Sequence, residues 1–189
     1  MGRSEYFDVL KGIGILCVFY GHTAEAMSLP QRLMFNFHMP LFFLISGVFF
    51  NPRKLLDLKT LLHRIWNGLL LPYCLFVLLG YVIHFNTSFV RWTSNPIAEC
   101  LLILHGDAAP SVWFLVCLAM VQVFVWLVRQ LSMNMIYMII AGLGVMAHLI
   151  YHYVPRSIIS QMPFMLASVP AAMMFFLFGT CLRNALFLI

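Results

Sequence analysis

Lys11 and His22 stand with ten residues between them in a largely apolar run, with Asp8 three residues before the lysine and Glu25 three after the histidine. On a helix, eleven steps of about 100° carry His22 roughly 20° past three full turns from Lys11, and the rise sets the two about 16 Å apart on one stripe. Asp8 and Glu25 fall near that stripe. A plain membrane anchor carries no such stripe, because ionisable groups inside a membrane segment are costly and face a bundle interior or a wet cavity. The segment therefore reads as one wall of a polar site. Its deepest titratable group is the imidazole of His22, the side chain that changes charge near neutral pH.

The elements that must position this stripe are membrane helices. The chain has 189 residues, 63% hydrophobic and 9% charged, against roughly 25% charged in ordinary soluble domains. That composition excludes a soluble globular domain and predicts an all-α, polytopic integral membrane helix bundle. About six transmembrane helices are expected in a single membrane domain over residues 1–189, at 9–28, 34–50, 65–85, 112–128, 135–154 and 162–182. The basic stretch from Arg53 to Arg64 has helical, amphipathic spacing and is expected to lie on the membrane surface. A secretory signal peptide is the competing reading of the first segment. Two acids, Glu5 and Asp8, precede its apolar core and the rest of the chain is membrane-like, which favours a retained span.

The formal charge of +5 is spread between apolar runs and marks loops, not a nucleic-acid surface. With the N-terminus inside, the cytoplasmic set is Arg3, Lys11, Arg53, Lys54, Lys59, Arg64, Arg129 and Arg183, and the outer set only Arg32, Arg91 and Arg156. A cytoplasmic N-terminus is expected. His38 then opens the second helix from the outer side, at a depth similar to that of His22. The cysteines Cys17, Cys74, Cys100, Cys117 and Cys181 form no C-x-x-C pair and read as buried free thiols. No metal set is expected. His148 and His152, four apart, could ligate a metal or haem, but Tyr151 and Tyr153 beside them suit an interfacial belt.

Beyond composition, specific blocks occur in order: Tyr6-Phe7-Asp8-Val9-Leu10-Lys11-Gly12-Ile13-Gly14-Ile15 running to Gly21-His22, Phe37-His38-Met39-Pro40-Leu41-Phe42-Phe43-Leu44-Ile45-Ser46-Gly47, Leu71-Pro72-Tyr73, Trp113-Phe114-Leu115, and Phe175-Phe176-Leu177-Phe178-Gly179 before Arg183. Together they resemble the acyltransferase-3 family of multi-pass membrane O-acyltransferases, which includes fucose 4-O-acetylase-like proteins. The family's first helix pairs a basic residue with a histidine after ten others, here Lys11 and His22. Such proteins usually have about ten membrane helices, so this chain is expected to represent an N-terminal portion. Many members place a second arginine three residues after the position of Arg64, where this chain has Asn67. That departure weakens any phosphate contact assigned to the pair.

The resemblance implies transfer of an acyl group, commonly acetyl from acyl-CoA, to a hydroxyl of a sugar or envelope glycan, in a multi-pass protein of the bacterial inner membrane. His22 is implied as general base and Glu25 as the carboxylate that orients it. Lys11, Arg64, His38 and Trp113 are implied as contacts to acyl-CoA or acceptor. No bound cofactor is expected, and acetyl-CoA is the donor substrate. Membrane lipid, the glycan acceptor and either a homo-oligomer or a completing subunit are the expected partners, with no nucleic acid.

Each residue also has a plainer reading. His22 suits a polar group satisfied inside the bundle, Lys11 a snorkelling anchor, Glu25 an interface residue, His38 a helix end and Trp113 an aromatic anchor. Ser46-Gly47 suits a close helix contact better than a nucleophile. For the whole chain, the alternative is an inactive membrane segment that only packs against a partner. A haem or metal membrane protein is a third possibility.

Overall fold

In a bilayer, backbone N–H and C=O groups have no water to bond, so a chain this apolar satisfies them within helices. The computed structural model describes residues 5–23, 28–51, 57–84, 113–159 and 163–187, and among them there is helix and no strand. The all-α class is borne out. In order the helices are α1 (Glu5–Thr23), α2 (Leu29–Phe49), α3 (Leu58–Ile65), a π-turn (Trp66–Leu70), α4 (Leu71–His84), α5 (Trp113–Leu127), α6 (Met133–Tyr153), the short α7 (Arg156–Ile159), a 3-10 turn (Pro163–Ser168) and α8 (Val169–Phe187).

Among the described residues, three helical stretches are long and apolar enough to cross a membrane: Leu58–Leu79, Met133–Tyr153 and Leu166–Arg183. Two shorter apolar helices, Phe37–Phe49 and Trp113–Leu127, accompany them. The chain is an integral membrane protein.

The chain divides into two compact units, Met1–Asn51 with Met174–Ile189, and Pro52–Met173. In the first unit, α1 and α2 pack as a hairpin, and α2 meets α8 backbone to backbone. A Cβ on Gly47 would lie 2.0 Å from the Phe176 carbonyl oxygen, and one on Gly179 would lie 2.1 Å from that of Leu44. Only glycine fits at either position, as small residues let membrane helices approach closely. Phe50 and Phe176 close the crossing edge to face, centroids 5.4 Å apart. The Arg183 guanidinium donates to the Phe50 carbonyl at 3.2 Å, satisfying an oxygen just past the end of α2.

In the second unit, α5 is the central helix. It packs against α3, the π-turn, α4 and the 3-10 turn, and buries Cys117, Leu118, Val121, Gln122 and Val125 on one face. The basic amphipathic stretch expected before the third span runs into that span without a break, and its residues 53–56 lie outside the described residues. From Leu58 to His84 the chain is one helical run, and the junction residues Trp66 (φ −57°, ψ −57°) and Leu71 (φ −62°, ψ −49°) are both helical. The π-turn lies just before Pro72, which lacks an N–H and whose ring presses on the carbonyl four residues back. There the Leu71 N–H reaches the Trp66 carbonyl, five back. A π-turn holds more residues per turn than an α-helix. The eight steps from Ile65 to Tyr73 therefore avoid most of the roughly 80° overshoot of an unbroken α-helix. Leu61, Ile65, Tyr73 and Val77 are accordingly all buried.

Candidate active site

The α1–α2 hairpin carries Lys11, His22 and His38 of the residues singled out by type and spacing. Gly14 is buried, and a Cβ there would meet the Phe42 ring at 3.0 Å. Lys11, three residues earlier, has its ammonium 4.3 Å from the centroid of Phe49. Moving back along α1 thus moves forward along α2, so the helices are antiparallel. Extending that register sets His38 within about one helical turn of the height of the His22 backbone. The two histidines belong to the same end of the hairpin, as expected from sequence. The His22 backbone lies in the last turn of α1, its side chain is outside the described residues, and so is all of Glu25.

Lys11 occupies the opposite end. Its Nζ lies 3.5 Å from Asp8 Oδ1, with the two side chains 43% and 33% exposed. The ammonium is held by a carboxylate one turn away and by an aromatic face, and this neutralises a charge that a bare apolar helix could not carry. Asp8 is therefore the immediate partner of Lys11.

His38 is 3% exposed. Its Nδ1 donates to the Met34 carbonyl at 2.5 Å. That bond places the proton of a neutral ring on Nδ1 and makes Nε2 the basic nitrogen. Pro40 follows two residues later inside α2, so the local turn is already one in which the backbone ladder is interrupted.

Arg64 and Trp113 belong to the second unit. Arg64 is exposed in the last turn of α3, and Trp113 begins α5, half-buried. Position 67, where a second arginine would stand, instead gives an amide to its own helix: Asn67 Nδ2 donates to His63 Nε2 at 2.9 Å. Arg53 and Lys54 lie outside the described residues.

One buried polar group was not singled out from sequence. Gln122 is 8% exposed, and its Oε1 has no hydrogen-bond partner among the described residues. The available signal was a lone amide in the run from Trp113 to Leu127. At the far end of that helix, Arg129 lies over the Trp126 ring at 3.7 Å and donates to the Trp126 carbonyl at 2.7 Å, which makes it a helix cap. His148 and His152 lie tilted against each other on α6, with ring centroids 4.4 Å apart. Among the described residues, no three His, Cys, Asp or Glu side chains come together as a metal set.

Comparison with known families matches the chain, over residues 4–189, to the family described as an acyltransferase domain. No curated protein and no solved structure matches the chain.

Proposed function

The chain belongs to the acyltransferase-domain family, and from that premise we propose that it transfers an acyl group, acetyl from acetyl-CoA, to a hydroxyl of a sugar or envelope glycan. The observation that carries the reading is the family match across the stretch that holds the Lys11–His22 stripe. The α1–α2 hairpin supports it by setting two histidine positions at one end and a paired cation at the other.

In this mechanism His22 removes the proton of the acceptor hydroxyl, whose oxygen is a poor nucleophile until it is deprotonated. The oxygen attacks the thioester carbonyl carbon, the carbon–sulfur bond breaks, and the proton passes to the departing thiolate. Glu25 holds the imidazole and stabilises its charged form. His38 accepts a hydrogen bond from the acceptor through Nε2. Lys11 and Arg64 attract the phosphates of CoA, and Trp113 contributes an apolar contact to the donor. The pantetheine arm covers the distance of about 16 Å along α1. The setting is a bacterial inner membrane with a cytoplasmic N-terminus.

A second reading is favoured by α6, none of whose residues is buried. Such a helix is covered by lipid, by a second copy or by a completing subunit, and a chain of this kind can serve as a packing segment without chemistry of its own. The two readings separate in one assay: label transfer from radiolabelled acetyl-CoA in membranes that express the chain, its His22→Ala variant or an empty vector. Label in envelope glycan that disappears with the histidine is the expected result. Full transfer by His22→Ala overturns the assigned base, and no label above vector, with insertion verified, favours the packing segment.

A further inference from the structure

An open groove of about 930 Å³ runs along α3 and the π-turn, walled by Leu58, Leu62, Trp66 and Leu70 and edged by Asp57, Lys59 and His63. Leu58, Leu62 and Trp66 are 42%, 49% and 52% exposed, yet they lie at the start of a stretch long and apolar enough to cross a membrane. An exposed leucine–tryptophan wall at the end of a span faces the headgroup boundary, where indole rings and snorkelling lysines concentrate.

The order of the groups along the helix is informative. Asp57 stands at the tip, Lys59 about 3 Å further in, His63 about 9 Å, and Trp66 and Leu70 about 14 to 20 Å. From outside inward the groove offers a negative charge, a positive charge with an imidazole, an aromatic ring and then hydrocarbon. That is the depth order of a phospholipid whose headgroup ends in an ammonium. We infer that the groove holds one phosphoethanolamine-type lipid. Its ammonium meets Asp57, its phosphate sits between Lys59 and His63, its glycerol esters lie at Trp66 and an acyl chain runs past Leu70.

The local chemistry fits each contact. Asp57 caps α3 through Oδ2, which accepts from the Thr60 N–H at 3.3 Å, and a carboxylate has further lone pairs for an ammonium. Asn67 donates to His63 Nε2, so the proton of a neutral imidazole lies on Nδ1, as a donor for a phosphate oxygen. A headgroup without the ammonium leaves Asp57 facing a net negative lipid. A trimethylated one has no N–H to give it. Arg64 is rotated about 100° from His63 around the helix, so the inference does not rest on the acyl-transfer reading.

The test is native mass spectrometry of the purified full chain. Ethanolamine, choline and glycerol phospholipids with identical acyl chains compete in equal amounts against wild type, Asp57→Asn and Lys59→Gln/His63→Gln. Asparagine caps a helix about as well as aspartate, so the first variant keeps the fold. Wild type is expected to retain the ethanolamine lipid over both others about two- to fivefold, the size of one exposed ion pair. Asp57→Asn loses the preference over the glycerol lipid while still retaining lipid, and the double variant retains less of all three. Equal retention of the three lipids by wild type overturns the inference, as does an undiminished ethanolamine preference in Asp57→Asn. Preferential retention of the glycerol lipid overturns it in favour of a general anionic-lipid groove.

Discussion

Helices α2 and α6 are each 21 residues long and strongly apolar, yet they behave differently. α2 buries Phe43, Ile45 and Val48 and brings Gly47 against the backbone of Phe176. α6 buries none of its residues, and a Cβ on its Gly142 would meet nothing within 4 Å. Apolar composition thus decides that a segment enters the membrane, and it does not decide what the segment packs against. Lipid tails are as apolar as leucine, so close packing between spans comes from small residues set opposite one another and from a few polar contacts. Gly47 and Gly179 face the carbonyls of the partner helix in both directions. Gly142 faces open surface.

Four substitutions break or sharpen that contrast. The largest effect is expected at the crossing itself. Gly47→Ala or Gly179→Ala drives a methyl group into a carbonyl oxygen about which neither helix can swing, and should lower stability by about 1–3 kcal/mol, the usual cost of overpacking. Denaturant titration in mild detergent measures it, and an unchanged midpoint would mean that the helices do not approach this closely. A smaller loss, on the order of 0.5–1 kcal/mol, is expected for Arg183→Met, which removes the hydrogen bond to Phe50 but keeps the apolar stem. Smallest is Gly142→Ala, expected to be neutral or stabilising by up to about 1 kcal/mol, because alanine is the better helix former where nothing opposes its methyl group. If Gly142→Ala were as costly as Gly47→Ala, α6 would be covered by a second copy or another subunit.

The candidate site divides along the same line. The Lys11–His22 stripe was legible because both residues lie on one helix, and helical periodicity fixes their relation at once. The shared end of His22 and His38 was legible because a short connection makes consecutive spans antiparallel neighbours. The hydrogen bond from His38 to Met34 was not, although it is local, because a helix offers its side chain several rotamers and pattern alone does not choose among them. The role of Asp8 was half legible: its spacing put it near Lys11, and only the structure joins the two and adds Phe49.

By itself, then, the sequence determined the class of the protein, its helices and the spacing of its ionisable residues, because hydrophobicity and the 3.6-residue turn act over a few neighbours. It also carried the ordered blocks by which the family is known. Tertiary structure alone decided that Phe50 would be capped by Arg183 from 133 residues away, that Gly47 and Gly179 would meet α8 and α2, and that Gln122 would be buried. It also decided that the run from Leu58 to His84 would pass through a π-turn and open a groove beside it. Each depends on which face of one helix meets which face of another, and local periodicity carries no information about a partner so far along the chain.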